Sequence, residues 1–306
     1  MKILNFFKAQ QSLFPLFLFR ISIALLTLVH LFSLKNDYDT LYSQNGFIRA
    51  EVNHAIMHER VLTLPRVYEF LTNYIVVSEQ HFINYILTAY TILLISLLVG
   101  FQTRLVAILC FIIHGALVNS NLILCYGYDN FANNSLLYCI LMPVGYYNSV
   151  DNYLFKRQNL KNSLIGNISI RVLQIHLCII YFMSGLNKTF GASWYNGEAI
   201  WRAVMQPPLS HIDFSFLATY PFIPIAIGFG TLFIELSYPI LIWIKPVNKY
   251  FLGMVVLMHI GIAVALQLWF FAGIMILWNL VAYAKFPERV NIKMPKIYST
   301  RRWTWD

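Results

Sequence analysis

Charge is what this sequence has least of. Its 22 Lys and Arg and 13 Asp and Glu make up 11% of 306 residues, where an ordinary soluble domain carries about 25%. That shortage excludes a soluble globule. Cysteine is scarce too: Cys110, Cys125, Cys139 and Cys178 are the only four, and all fall in apolar stretches. A free thiol behaves there as a small hydrophobe, so no disulfide is expected and a disulfide-stapled secreted domain is excluded. Low-complexity tracts and fixed repeats are also missing, which removes disorder, collagen and coiled coils. What remains is apolar surface, with 58% hydrophobic residues, 24 Phe, 19 Tyr, 7 Trp and a mean hydropathy of +0.61. So few charged side chains cannot cover such a chain unless much of its solvent is lipid. The expected class is all-α, a polytopic integral membrane helical bundle.

A bilayer core about 30 Å thick needs about 20 apolar residues at 1.5 Å rise each, so stretches without Asp, Glu, Lys or Arg serve as a ruler. Residues 80–103, 105–128, 130–150 and 214–234 hold 24, 24, 21 and 21 such positions. No charge occurs in the 35 residues of 250–284, about 52 Å as one helix, so this run divides into two spans near 267–273. Residues 14–34, interrupted by Arg20, and about 169–186 bring the total to eight. The first apolar run is long and no small-x-small site follows it, so it is expected to remain as an anchor rather than be cleaved.

The net charge of +9 and pI near 9.3 would suggest nucleic acid in a soluble protein. Here the basic residues lie between apolar runs and at the ends, which makes them topology signals. Lys2 and Lys8, Arg104, Lys156 with Arg157 and Lys161, Lys245 with Lys249, and the tail all fall on one side of eight spans. Both termini are therefore expected in the cytoplasm and no nucleic-acid partner is expected. Residues 1–286 read as one transmembrane domain with outer loops at about 35–81 and 187–213, and 287–306 as a basic cytoplasmic tail. In the first loop, residues 66–75 have the apolar spacing of a helix lying on the membrane interface. The second loop carries Trp194 and then Pro207-Pro208, and is placed to cap a cavity.

Ionisable groups at membrane depth each need a partner or a purpose, since insertion costs about 2.5 to 3.5 kcal/mol. His114, Glu235 and His259 sit near the middles of their spans, which makes them candidate neighbours. Glu235 either orients His259 in a wet cavity or forms with it a hydrogen-bonded pair that fixes helix packing. Arg20 and His176, in the cytoplasmic halves of their spans, read as snorkelling or helix-pairing groups. His54 and His58, four apart and followed by Glu59, share one helical face, but the pattern falls short of a zinc-protease motif and no metal is expected. Asp129, Asn130, Asn133 and Asn134 open span four; their side chains either cap that helix or point into a ligand cavity. Lys188 closes span five. A lysine there either complements the helix dipole and snorkels, or loses hydration among aromatics and becomes available as a neutral base.

The pattern resembles the horizontally transferred transmembrane family, the membrane module related to vitamin K-dependent γ-carboxylases. The resemblance rests on Ile180-Tyr181-Phe182-Met183-Ser184-Gly185-Leu186-Asn187-Lys188, then Trp194 and Gly197-Glu198-Ala199-Ile200. Supporting segments are Gly100-Phe101-Gln102-Thr103-Arg104, Asn133-Asn134-Ser135, Ser149-Val150-Asp151 and His259. It implies that Lys188 is the base that deprotonates a reduced quinone such as menaquinol, which oxygen then turns into the strong base that opens a substrate carbon to carbon dioxide. Asn133, Asn134, Trp194 and Glu235 would contact the cofactor and His259 would assist. The chain differs from the carboxylases in placing Asn187 before Lys188 and Asn134 after Asn133. Two functions follow from the resemblance. One is a carboxylase-like membrane enzyme that modifies a peptide or small substrate on the periplasmic side of a bacterial inner membrane. The other is a non-catalytic membrane component for maturation or export of a secreted peptide.

Overall fold

The structure is a computed structural model that describes residues 6–7, 13–58, 61–121, 124–155, 164–206 and 212–285, apart from the side chains of His54 and Phe155. The readings placed on Lys2, Lys8, the His54 ring, Glu59, the 156–161 basic cluster, Pro207-Pro208 and the tail 287–306 lie outside these residues. Among the described residues there are thirteen α-helices and no strand. In chain order they are α1 (Phe14–Ser33), α2 (Tyr38–Tyr42), α3 (Ala50–Ile56), α4 (Leu64–Thr72), α5 (Glu79–Val99), α6 (Thr103–Ser120) and α7 (Gly127–Leu141). There follow α8 (Val150–Phe155), α9 (Leu164–Thr189), α10 (Glu198–Val204), α11 (Phe222–Leu241), α12 (Val247–Leu266) and α13 (Trp269–Tyr283).

Each of the eight expected spans overlaps one helix of 15 residues or more. Six of these, α1, α5, α6, α9, α11 and α12, are long and apolar enough to cross a membrane. Their outward faces carry exposed Ile92, Ile179, Phe233 and Leu257, as lipid-facing surfaces do. The other two, α7 and α13, have 15 residues each, about 22 Å. The short α13 survives because it is surrounded: it packs on α1, α7, α9 and α12. Its fully buried Trp278 meets Phe131 at 5.2 Å, Tyr138 at 5.5 Å and Phe19 at 6.2 Å. The split of the 35-residue run occurs at Gln267, whose φ of 57° puts it in the left-handed region and ends α12.

Several spans shift from their expected limits: the third ends at Ser120 rather than residue 128, and the fifth runs Leu164–Thr189 rather than about 169–186. The sixth was expected at 214–234 but forms at Phe222–Leu241. Residues Ser215–Ala218 make a 3₁₀ turn instead, and Pro221 and Pro224 occupy the start of α11, where a missing N–H costs nothing. At its far end the ruler stopped at Glu235, whereas the helix continues because that carboxylate is paired. The fourth span ends at Leu141, since residues 142–149 turn through Pro143 and Gly145. In the stretch 66–75 a helix does form, as α4, with the Thr63 side chain accepting from Arg66 N at its start. Phe70, Tyr74 and Ile75 lie exposed on it and just after it.

The end of the bundle opposite α4 is held by Arg20, which does not snorkel. It is 0% exposed, donating to Val144 O at 3.3 Å and Asn148 O at 3.0 Å, with Phe17 beneath it. The guanidinium is trapped because the turn between α5 and α6 closes over it. Gly100, at φ +75°, allows that turn, and a Cβ there would strike the Arg20 guanidinium and lie 2.6 Å from Ser149 Cβ. Asp151 then locks the start of α6 by accepting from Gln102 N at 2.7 Å, Thr103 N at 2.9 Å and Thr103 Oγ1 at 2.8 Å. Thus Gly100–Arg104 and Ser149–Asp151, distant in sequence, form one joint.

Candidate functional site

Tyr181, Ser184, Gly185 and Lys188 recur at helical spacing and share one face of α9. That face packs antiparallel on α11. Gly185 lies level with Glu235, and one turn further along each helix Tyr181 stacks on Tyr238, with centroids 4.1 Å apart and planes at 14°. A Cβ on Gly185 would come within 3.0 Å of Glu235 Cβ and 3.1 Å of Leu236 N, so a larger residue would press the two helices apart by a few tenths of an ångström.

At this contact Lys188 Nζ reaches back along its helix to Glu235 Oε2 at 2.7 Å, Oε1 at 2.8 Å and Ser184 Oγ at 2.6 Å. The Trp194 ring lies over the ammonium, 5.1 Å from Nζ to the centroid. The side chains of Lys188 and Glu235 are 20% and 9% exposed. Glu235 is 13 residues from Phe222, about 20 Å along α11, so the pair lies within the span. Helix α9, by contrast, ends one residue after Lys188. The space it leaves beside the first half of α11 is taken by irregular chain, with the Trp194 carbonyl against Gly228 and Gly197 against Ile225. Backbone of this kind is tolerated at membrane depth where protein surrounds it.

A second polar group lies one turn further into the bundle. Tyr238 OH donates to Asn279 Oδ1 at 2.6 Å, and Asn279 Nδ2 donates to Tyr181 OH at 2.8 Å and Met275 O at 2.8 Å. Because the Tyr181 oxygen accepts from Asn279, its own proton goes to His259 Nε2, 2.6 Å away. His259 is therefore a neutral ring carrying its proton on Nδ1. That nitrogen is buried without a hydrogen-bond partner, in a residue 2% exposed.

The expected trio of His114, Glu235 and His259 does not form. Glu235 pairs with Lys188, because the close approach at Gly185 turns it toward α9, and Tyr181 takes His259. His114 belongs to another part of the bundle, bonded to Tyr90 OH at 3.0 Å and Asp129 O at 3.3 Å. His176 joins helices through Tyr138 OH at 2.5 Å. Asn133 faces α6 near Gly115, with its Oδ1 buried and unpartnered, and Asn134 is exposed. Neither asparagine is bonded to Lys188, Glu235, Trp194 or His259. Asp129 does cap its helix, accepting from Tyr126 N at 2.9 Å. Among the described residues no three His, Cys, Asp or Glu side chains gather as metal ligands.

Lys188 thus meets both Trp194 and Glu235, and His259 is joined to this neighbourhood through Tyr181. Ser184, Tyr181 and Asn279 were not singled out from the sequence. The first two carried a signal in their spacing of four and seven from Lys188; Asn279 carried none beyond being an amide in an apolar helix. No protein-family model matches the chain, no curated protein matches it, and no solved structure matches it.

Proposed function

We propose that the chain is a membrane-embedded, carboxylase-like enzyme whose acid–base centre is the Lys188–Glu235 couple. It acts at the capped end of the bundle on a reduced quinone and a peptide or small substrate. The observation that supports this reading is the convergence of Lys188, Trp194 and Glu235, from three separate segments, on one partly open cluster within apolar spans. The setting is a bacterial inner membrane, with both termini cytoplasmic and the capped end outside.

The residues present suit a flat ring bearing oxygen groups. Trp194 offers an aromatic face, and the His259 Nδ1–H is a buried donor in want of an acceptor. When bound, a reduced quinone supplies the reducing equivalents and, with oxygen, the strong base that no side chain can provide. The chain's own part is proton handling. For the amine to act as a base its Nζ must first give up a proton, and Glu235 Oε2, 2.7 Å away, is the acceptor within reach. The amine then takes a proton at Nζ from a substrate hydroxyl, while Ser184 holds the amine in place. Trp194 and the chain after α9 limit water at the cluster.

A second reading has an observation of its own. Ser184 and the two Glu235 oxygens occupy the hydrogen-bonding capacity of the ammonium, as a clamp between α9 and α11 would. This suits a non-catalytic component for maturation or export of a secreted peptide. Lys188→Arg separates the two, because arginine keeps the ion pair but does not release its proton. The readouts are menaquinol epoxidation by membranes containing the protein and the gain of carbon dioxide on co-expressed peptides, followed by mass spectrometry. Enzymatic function requires product with the native chain and its loss in Lys188→Arg at unchanged protein level. Absence of product from the native chain, together with co-purification of a secreted peptide that survives Lys188→Arg, establishes the clamp instead.

A further inference from the structure

A cavity of about 140 Å³ lies apart from the Lys188 cluster, between the last turns of α1 and α6 and the first turn of α7, beneath the chain at 34–42. Three tyrosines, Tyr42, Tyr90 and Tyr126, form much of its wall, and the only formal charge among the lining residues is the Asp129 carboxylate. Several of the polar side chains around it keep acceptor capacity. His114 Nε2 must donate, since its partner is the Asp129 carbonyl, so Nδ1 accepts the Tyr90 proton and both hydrogens are consumed. Asn121, 7% exposed, donates one of its two amide N–H groups to Leu41 O and keeps Oδ1 buried with no partner. Asp129 gives Oδ2 to Tyr126 N and retains Oδ1.

An acceptor-rich, tyrosine-walled hollow with one negative charge and no lysine or arginine on its lining is complementary to a compact cation. Its size is near the roughly 150 Å³ that holds a benzene ring. We propose that this cavity binds a protonated amine, with Asp129 as counter-ion, Asn121 Oδ1 as second acceptor and the tyrosine rings around the apolar part. The ammonium belongs either to a free amine or to an ethanolamine lipid headgroup, since the cavity opens at the ends of membrane-crossing helices. The site is independent of the Lys188 chemistry, and neither Asp129 nor Asn121 touches that cluster.

The test uses the detergent-purified full chain with benzylamine as probe and benzyl alcohol as its neutral counterpart, read by saturable thermal stabilisation. Benzylamine should stabilise the native chain, with benzyl alcohol at least about tenfold weaker. Asp129→Asn keeps an acceptor for Tyr126 N but removes the charge, and should weaken benzylamine about tenfold or more. Leu117→Phe fills the cavity while leaving Asp129 intact, and should abolish stabilisation. Equal response to the two probes, or undiminished benzylamine binding in both variants, overturns the proposal. Nanodiscs identify the source. If phosphatidylethanolamine competes with benzylamine where phosphatidylglycerol does not, the occupant is the lipid headgroup; if neither competes, it is a free amine.

Discussion

Arg20 and Lys188 are two cations set into this bundle, and they are held in opposite ways. Arg20 is sealed completely and bonded to two backbone carbonyls, with its nearest carboxylate, Asp151, occupied by the start of α6. Lys188 is bonded to a carboxylate and a hydroxyl, is one-fifth exposed, and is covered by one aromatic ring. The first arrangement uses a cation to satisfy backbone carbonyls where the chain turns, and it leaves nothing for a ligand to reach. The second keeps two groups that can exchange a proton beside a partly open surface. Buried charge closes a turn in one place; in the other it bridges two helices beside a partly open surface.

The sharpest way to break the contrast is Arg20→Leu. Two carbonyls lose their donors and the turn at Gly100 loses its filling, so destabilisation of about 3 to 5 kcal/mol is expected, seen as loss of monodisperse protein and a large drop in thermal midpoint in detergent. Lys188→Met comes next. It strands Glu235, yet the site's partial exposure limits the cost to about 2 kcal/mol. The double variant Lys188→Met with Glu235→Leu should recover most of that, which Arg20 substitutions cannot imitate. If the double variant is no better than the single one, the pair is not the local cause. Tyr181→Phe should cost about 1 kcal/mol by leaving His259 Nε2 and Asn279 short of one partner, read by chemical denaturation. Smallest is Arg202→Ala. Its ion pair with Glu198, 2.6 Å but 75% and 43% exposed, should contribute less than about 0.5 kcal/mol.

Much of the fold was legible because exclusion of charge from lipid acts on each residue separately. The run at 250–284 had to divide, and Gln267 divides it. The ruler failed where a charge was neutralised by a neighbour: it ended the sixth span at Glu235, six residues before α11 stops. Site residues were legible one at a time. Lys188, Glu235, Trp194 and His259 stood out as polar or aromatic groups in unusual places. Their partners did not, since pairing depends on the rotation of each helix about its axis, and that was set at Gly185 by a contact 50 positions away in sequence. The partners of Arg20 were hidden for the same reason. Nothing local says that residues 144–148 fold back over it.

Composition and the spacing of charges alone determined that this is a helical membrane protein and roughly where its long helices lie, because transfer into lipid is a sum over single residues. Which side chains meet was decided only by the folded bundle. Lys188 meets Glu235 rather than His259, Tyr181 meets His259, and Asp151 meets the start of α6, because each is a two-body contact created by close helix packing.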